Sequence, residues 1–123
     1  MVDGGPAIVR IGRLPGPALE AAAAFHTDHC ENVRNAAASG NEYVVIVMEP
    51  APFDHAGWRR AAARDLARAH PDHCINIVAG SDGGAVARMA EFLGRAPAIT
   101  GQYLPLAKTG ICDDGNVDDD TEG

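Results

Sequence analysis

The 123-residue sequence contains few aromatic residues, a single lysine, three cysteines and no long apolar run. Because aromatic residues make up only 5% of the chain, a core has to be built from alanine, valine, isoleucine and leucine. No stretch approaches the ~18 apolar residues of a membrane span, and the N-terminus lacks the basic and apolar regions of a secretory signal. Three cysteines do not indicate a disulfide framework, so we expect a reducing, cytoplasmic location.

Positive charge is also scarce, since the formal net charge is −7. Nucleic acids and anionic membranes attract electropositive surfaces, so we expect neither as a partner. The chain length suits one domain with a single core, which we place at residues 1–107. Six acidic residues are concentrated in residues 108–123. We expect this segment to be a disordered acidic tail, because it has too little apolar surface to bury.

Apolar runs alternate along the chain with helix-forming segments. The predicted strands are Ala7–Ile11, Tyr43–Met48, Cys74–Gly80 and a final strand within Ile99–Leu106. The predicted helices are Ala18–Ala38, Ala56–Ala69 and Ser81–Leu93. Four strands alternating with three helices predict an α/β fold with a parallel sheet and right-handed crossovers.

The spacing of residues also predicts caps and faces for the later helices. Asp54 is placed to cap the second helix, and Ser81 or Asp82 to cap the third. On the second helix the predicted apolar stripe is Trp58, Ala62, Leu66 and Ala69, opposite a solvent-exposed face of Arg59, Arg60, Arg64 and Arg68. On the third helix the predicted apolar face is Val86, Met89, Ala90 and Leu93. Both stripes follow helical periodicity.

The stretch Cys74–Leu106 resembles the C-terminal third of the short-chain dehydrogenase/reductase family. In that family an "RVNAIAPG"-like strand, a late helix and an "ITGQ-x-L" segment follow one another. Ile99-Thr100-Gly101-Gln102, with Leu104, is the most specific part of the match. The resemblance implies a small Rossmann-like α/β domain of two or three layers.

The family's catalytic tyrosine and lysine, spaced Y-x-x-x-K, have no counterpart in this sequence. Tyr43 and Tyr103 are followed four positions later by Val47 and Ala107, and the single lysine is Lys108. The resemblance therefore implies a domain without the family's redox chemistry, and we predict no catalytic residues.

A dinucleotide-binding loop is a weaker prediction. Gly12, Gly16 and Ala18 match the spacing of the family's G-x-x-x-G-x-G loop, and Glu49 could stand for its ribose-binding acid. Two prolines within the loop remove backbone N–H donors, and Glu49 lies 37 positions after Gly12 instead of the usual ~20. We favour a proline-stiffened turn, with NAD or NADP binding at these four residues as the alternative.

A repeated pentad is the other unusual feature. His26-Thr-Asp-His29-Cys30 lies in the first predicted helix, and His70-Pro-Asp-His73-Cys74 leads into the third strand. Imidazole and thiolate groups suit zinc, copper or nickel, which makes His26, His29, His70 and His73 metal-ligand candidates. Histidines near a helix C-terminus also complement the helix dipole, so we favour a structural role and predict no metal.

Two functions follow from these patterns. With a sequential strand order, right-handed crossovers would put all three helices on one face of the sheet and leave the other open. A homodimer, or a heteromer with a related dehydrogenase, would cover it, and the resemblance implies pairing through Gly84–Leu93 and Gln102–Leu106. We therefore favour a non-catalytic interaction or regulatory subunit. The alternative is a small nucleotide-binding protein or oxidoreductase that uses the Gly12–Ala18 loop.

Overall fold

The computed structural model describes residues 5–106, so the predicted acidic tail at residues 108–123 lies outside the described part of the chain. The strands are β1 (Ala7–Arg10), β2 (Tyr43–Met48), β3 (Cys74–Ala79) and β4 (Tyr103–Pro105). The helices are α1 (Ala18–Asp28), α2 (Cys30–Ala38), α3 (Ala56–Ala69) and α4 (Gly83–Leu93). A 3₁₀ turn, Phe53–His55, leads into α3.

The four strands form one parallel sheet in the order β1-β2-β3-β4, which confirms the predicted α/β fold class. The longest pairing is between β2 and β3, whose six positions run from Tyr43 opposite Cys74 to Met48 opposite Ala79. Gly101 has a φ of +76°, and its turn leads the chain into β4. The strand order, which the sequence left open, is sequential.

The central strands are apolar without interruption because both faces of the sheet are covered. Val44, Ile46 and Met48 point to one face and pack with Phe25 and neighbouring side chains. Val45 and Val47 point to the other face and are also buried, at 1% and 8% exposure. This pattern is typical of a parallel strand within a helix-covered sheet.

Helices on both faces correct one prediction. α1, α2 and α3 belong to the core on the Ile46 face, whereas α4 packs through Val86, Ala90 and Leu93 on the Val45 face. The prediction that all helices share one face is therefore wrong, and the domain has three layers. Since the strand order keeps one direction, the β3–α4–β4 crossover has the opposite hand to the two before it.

A buried asparagine explains why the chain returns on this second face. The Asn76 side chain points to the α4 side of β3, where Nδ2 donates to the Ile99 carbonyl at 3.1 Å. Its Oδ1 accepts a hydrogen bond from the Gln102 N–H at 3.0 Å. These two bonds hold the segment between α4 and β4 beneath the Val45 face. The rule that crossovers are right-handed considers only the order of strands and helices, so it could not predict this anchor.

The first predicted helix is broken, which is a second correction. His29 has φ −123° and ψ −24°, outside the helical region, and it separates α1 from α2. The break lets the two segments bury different side chains, Phe25 from α1 and Val33 from α2, each fully buried.

The α3 region holds three further corrections. The residue before the helix is His55, which makes no side-chain capping bond, and Asp54 belongs to the 3₁₀ turn, so the predicted Asp54 cap is wrong. Ala69 is exposed, whereas Ala63 is fully buried. Arg59, predicted on the solvent-exposed face, is only 4% exposed.

The α4 predictions are confirmed. The Asp82 carboxylate caps the helix by accepting hydrogen bonds from the N–H groups of Gly84 and Ala85. The predicted apolar face of Val86, Met89, Ala90 and Leu93 packs in the second core.

Candidate functional site

A cavity of about 210 Å³ lies where the chain leaves β1 and β2. The loop after β1 contributes Gly12, Leu14 and Gly16, the loop after β2 contributes Glu49–Pro52, and His55 and Arg59 close it from the start of α3. Ligands of parallel α/β sheets bind outside the carboxyl ends of the strands, because the loops and helix N-termini converge there. This cavity is therefore the candidate site.

His55 ties the two loops together. Its Nδ1 accepts a hydrogen bond from the Trp58 Nε1–H at 3.0 Å, so Nδ1 carries no proton in this bond. The proton therefore resides on Nε2, which donates to the Gly16 carbonyl at 2.8 Å. With both ring nitrogens occupied and only 4% exposure, His55 positions the Gly12–Pro17 loop.

Arg59 is the charged group of the site. Its Nη1 donates to the Glu49 carbonyl at 2.9 Å and to the Tyr103 hydroxyl at 3.3 Å. Its guanidinium carbon lies 5.6 Å from the Trp58 ring centroid and 5.7 Å from that of Tyr103. Nε is buried without a hydrogen-bond partner. Neither of the ion pairs formed within residues 5–106, Arg64–Asp65 and Arg95–Glu91, involves Arg59.

The neutral partners of Arg59 offset much of the cost of burying its charge. Moving a cation out of water costs several kcal/mol unless an anion compensates it. A hydrogen bond to a charged group contributes about 1.5–3 kcal/mol and a cation–π contact about 0.5–2 kcal/mol. The described residues supply both kinds of contact but no carboxylate. Arg59 therefore forms no ion pair within residues 5–106, although the exposed Glu49 side chain lines the same cavity.

Three of the four predicted cofactor-binding residues come together in this cavity. Gly12, Gly16 and Glu49 line it, whereas Ala18 begins α1 and is not among the lining residues. A Cβ built on either glycine meets no atom within 4 Å, so the protein's own packing does not require a glycine at these positions. The open space beside the loop backbone is available to a ligand.

Sequence reasoning missed Arg59 and His55. A signal for Arg59 was present, because Arg59, Ala62, Ala63 and Leu66 follow the i, i+3, i+4, i+7 spacing of a buried helical face. Because arginine is charged, Arg59 was instead predicted to lie on the solvent-exposed face of the helix. His55 had no comparable signal, since its bonds to Gly16 and Trp58 depend on the folded loops.

The two histidine pentads lie at different places in the fold. His26 bonds to the Ala22 carbonyl and His73 to the Asn41 carbonyl, each through Nδ1 at 2.8 Å. The His70 and His73 rings lie 6.2 Å apart, and His29 stacks on Phe25. Within residues 5–106, no three His, Cys, Asp or Glu side chains are grouped as metal ligands would be.

The described cysteines are not placed as nucleophiles. Burial raises the pKa of the Cys30 thiol, with Arg34 acting in the opposite direction. Burial also raises the pKa of Cys74, and Glu42 adds to that shift. Reactive cysteines need a lowered pKa, so both side chains favour the unreactive thiol.

A larger concavity of about 510 Å³ lies beside β4 and α3, away from this site. Three exposed arginines, Arg60, Arg64 and Arg68, lie along one side of it. Arg64 pairs with Asp65 at 3.7 Å. These side chains are solvated, in contrast to the buried Arg59.

A helix-covered parallel sheet with its loops converging at one edge defines the Rossmann-like class of α/β domains. A model of the SDR-like family, the short chain dehydrogenase-like proteins, matches residues 9–106, most of the chain. The chain belongs to this family. No curated protein and no solved structure matches the chain.

No helix within residues 5–106 combines the length and apolar character needed to cross a bilayer.

Proposed function

We propose that this SDR-like domain is a non-catalytic interaction or regulatory subunit that binds a second copy of itself or a dehydrogenase relative. The observation that carries the proposal is the outer edge of β1. In the described sheet β1 pairs only with β2, so the N–H and C=O groups on its other side have no strand partner. Such an edge is a template for strand addition.

An apolar groove of about 300 Å³ adjoins this edge. Pro6 and Ile8 form one wall, Val86 and Ala90 of α4 form the other, and Val47 lies between them. Ile8 is 41% exposed although it lies on the same face as the buried Val45 and Val47. α4 packs on β2 and β3 and leaves Ile8 of β1 partly exposed, and Arg10 and Glu91 also line the groove. A strand with one apolar side chain would fit both edge and groove.

The lack of a catalytic pair supports a non-catalytic role. Tyr103 accepts its hydrogen bond from Arg59, and neither tyrosine begins a Y-x-x-x-K sequence. Of the two buried polar side chains of the site, His55 bonds to Gly16 and Trp58, and Arg59 donates to the Glu49 carbonyl and the Tyr103 hydroxyl. A cytoplasmic location stays a prediction from the sequence.

Molar mass in solution tests the proposal. Light scattering coupled to size exclusion should show a dimer of the wild-type chain, or a complex when a short-chain dehydrogenase is added. Ile8→Asp should abolish the association, because it places a charge on the groove wall. Leu19→Asp is the matched control, since Leu19 is 85% exposed on α1 and away from the groove. A monomer that binds no dehydrogenase, or equal effects of both variants, would overturn the proposal.

The family resemblance suggests a second interface through α4 and β4. Phe92 of α4 is 51% exposed, and Leu104 of β4 is half-buried. Phe92→Asp distinguishes the two surfaces, because it leaves the β1 edge intact. Loss of association in Phe92→Asp alone would assign the contact to α4 instead of β1.

The alternative function is nucleotide binding by the Gly12–Ala18 loop. The observation in its favour is that Gly12, Gly16 and Glu49 line one cavity. Against it, the volume of about 210 Å³ is smaller than the about 300–1,000 Å³ typical of ligand sites. Calorimetric titration with NAD and NADP decides this, and saturable binding that Gly16→Val abolishes would favour the alternative.

A further inference from the structure

We propose that the cavity between the β1 and β2 loops binds a small, apolar carboxylic acid, with the Arg59 guanidinium as the counter-charge. This inference concerns a ligand and does not depend on the proposed partner. It starts from Arg59, which is 4% exposed, lines the cavity and has a buried Nε without a hydrogen-bond partner. A buried cation that lacks an anion within residues 5–106 indicates an anionic ligand.

Two helices begin at this edge of the sheet. α1 begins after Pro17 and α3 after His55, and neither N-terminus has a side-chain capping bond. The first N–H groups of a helix carry a partial positive charge, which capping side chains normally satisfy. Gly16 and His55, which lie just before these two helices, line the cavity with Arg59, whereas Ala18 does not, and the Ala56 N–H donates to the Phe53 carbonyl. Arg59 is therefore the feature of this cavity that favours a negative charge.

The lining selects a carboxylate over a phosphate. Arg59 is the only cationic side chain among the lining residues, and one guanidinium matches one monoanion. Because Nη1 donates to the Glu49 carbonyl and the Tyr103 hydroxyl and Nε is buried, Nη2 is the guanidinium nitrogen left to donate to a carboxylate oxygen. The rest of the wall is largely apolar, formed by Leu14, Pro15, Met48, Pro50, Ala51 and Pro52. A short carboxylic acid would place its carboxylate beside Arg59 and pack its hydrocarbon part against the apolar wall.

Glu49 limits the affinity. Its carbonyl accepts a hydrogen bond from Arg59, whereas its exposed side chain lines the same cavity and repels an anion. Replacing this carboxylate with an amide of similar size should therefore strengthen binding. The direction of this effect distinguishes an anion site from a cation site, where the same substitution would weaken binding.

The first experiment compares isobutyrate with isobutyramide, its neutral amide analogue of similar shape. Calorimetry on the full chain should show saturable binding of one isobutyrate per chain, with isobutyramide at least about tenfold weaker. Amide NMR shifts should locate the site at the Gly12–Gly16 and Glu49–His55 loops. Inorganic phosphate and NAD are titrated in parallel, and tighter binding of either would overturn the choice of a carboxylate.

Substitutions test whether Arg59 supplies the positive charge that binds isobutyrate. Arg59→Lys keeps a cation but loses the Nη2 donor, so isobutyrate affinity should fall by about fivefold or more. Arg60→Gln is the matched control, because Arg60 is an exposed neighbour on α3 outside this cavity. Glu49→Gln should raise the affinity about threefold, a shift typical of one surface charge.

Three results would overturn the proposal. They are equal binding of isobutyrate and its amide, NMR shifts confined to other surfaces, and a loss in Arg60→Gln as large as in Arg59→Lys. If Arg59→Lys does not fold, the ligand pair and the NMR map on wild-type protein still decide the question.

Discussion

Three polar side chains are buried in the described part of the chain, and they differ in how well their hydrogen bonds are satisfied. His55 uses both ring nitrogens, and Asn76 uses both its amide nitrogen and its oxygen. Arg59 has a buried Nε with no partner. A satisfied buried polar group specifies the fold, whereas an unsatisfied one requires strain, a water or a ligand to explain it, as does Nε2 of the half-buried His70 outside this cavity. This contrast separates the structural residues from the candidate binding residue.

Asn76→Ala should lower the free energy of unfolding by about 2 kcal/mol, because the Ile99 carbonyl and the Gln102 N–H would lose their buried partner. Urea denaturation measures the change. Asn35→Ala, on the exposed surface of α2, is the control and should change stability very little. Equal effects of the two substitutions would show that Asn76 does not anchor the α4–β4 segment.

The raised pKa of the Cys30 thiol predicts a loss of folding stability at alkaline pH. Burial raises the pKa of its thiol above the ordinary value of 9.0, which the unfolded chain retains. The stabilisation is therefore complete below pH 9.0 and is lost as the pH rises through the folded-state pKa. Chemical denaturation across this window should give a falling free energy of unfolding. Cys30→Ala should have a flatter profile, and an unchanged slope would contradict the prediction.

At the scale of elements, the α4 prediction was confirmed and the prediction of one helix over residues 18–38 was wrong. Comparing the two shows what local sequence specifies. α4 has its Asp82 cap and its apolar face where the spacing placed them, because both depend on residues within a few positions. α1 and α2 interrupt an alanine-rich segment of high helix propensity at His29. Tertiary packing of Phe25 and Val33 outweighs that propensity, whose contribution per residue is small.

The two ends of α4 provide a matched pair of glycine substitutions. Gly94→Ala should destabilise the protein by about 1–3 kcal/mol, because the new Cβ would lie 2.7 Å from Pro6 Cδ. Gly83→Ala should stabilise it by about 0.4–1 kcal/mol, since its Cβ meets nothing within 4 Å and the unfolded chain loses freedom. Thermal and urea unfolding measure both. The same sign for both substitutions would contradict the packing of α4 against Pro6.

At the scale of the molecule, the sheet formed within residues 5–106 has two edge strands and one incompletely covered face. β1 and β4 are the outer strands, and β4 is short, with Pro105 as its last residue. Proline and short length blunt an edge strand. β1 is only one residue longer, but it has no proline along Ala7–Arg10, and it adjoins the groove at Ile8. The β1 edge is therefore the better candidate for association.

Association through β1 predicts a melting temperature that rises with protein concentration, because mass action stabilises whichever folded state self-associates. The rise should be several degrees over about two orders of magnitude in concentration. Ile8→Asp should remove this dependence, whereas Leu19→Asp should keep it. A wild-type melting temperature independent of concentration would restrict the proposal to a heteromeric partner.

The sequence by itself determined the features that depend on neighbours along the chain. The uninterrupted apolar run Tyr43–Met48 required a strand buried on both faces, and Asp82 with the spacing of Val86, Ala90 and Leu93 required a capped amphipathic helix. The Ile99–Leu104 segment carried the most specific part of the family resemblance, and the family model that matches residues 9–106 confirms the family. Each signal is local because helix and strand periodicity repeat within a few residues.

Only the tertiary structure decided which face each helix covers and which polar groups meet. Asn76 anchors a segment more than twenty positions away, and His55 bonds to Gly16 across 39 positions. Arg59 is buried because the Glu49 carbonyl and the Tyr103 hydroxyl, distant in sequence, converge on it. Such contacts depend on how loops close in space, and sequence periodicity records only the spacing along one element. The candidate site is therefore a property of the fold.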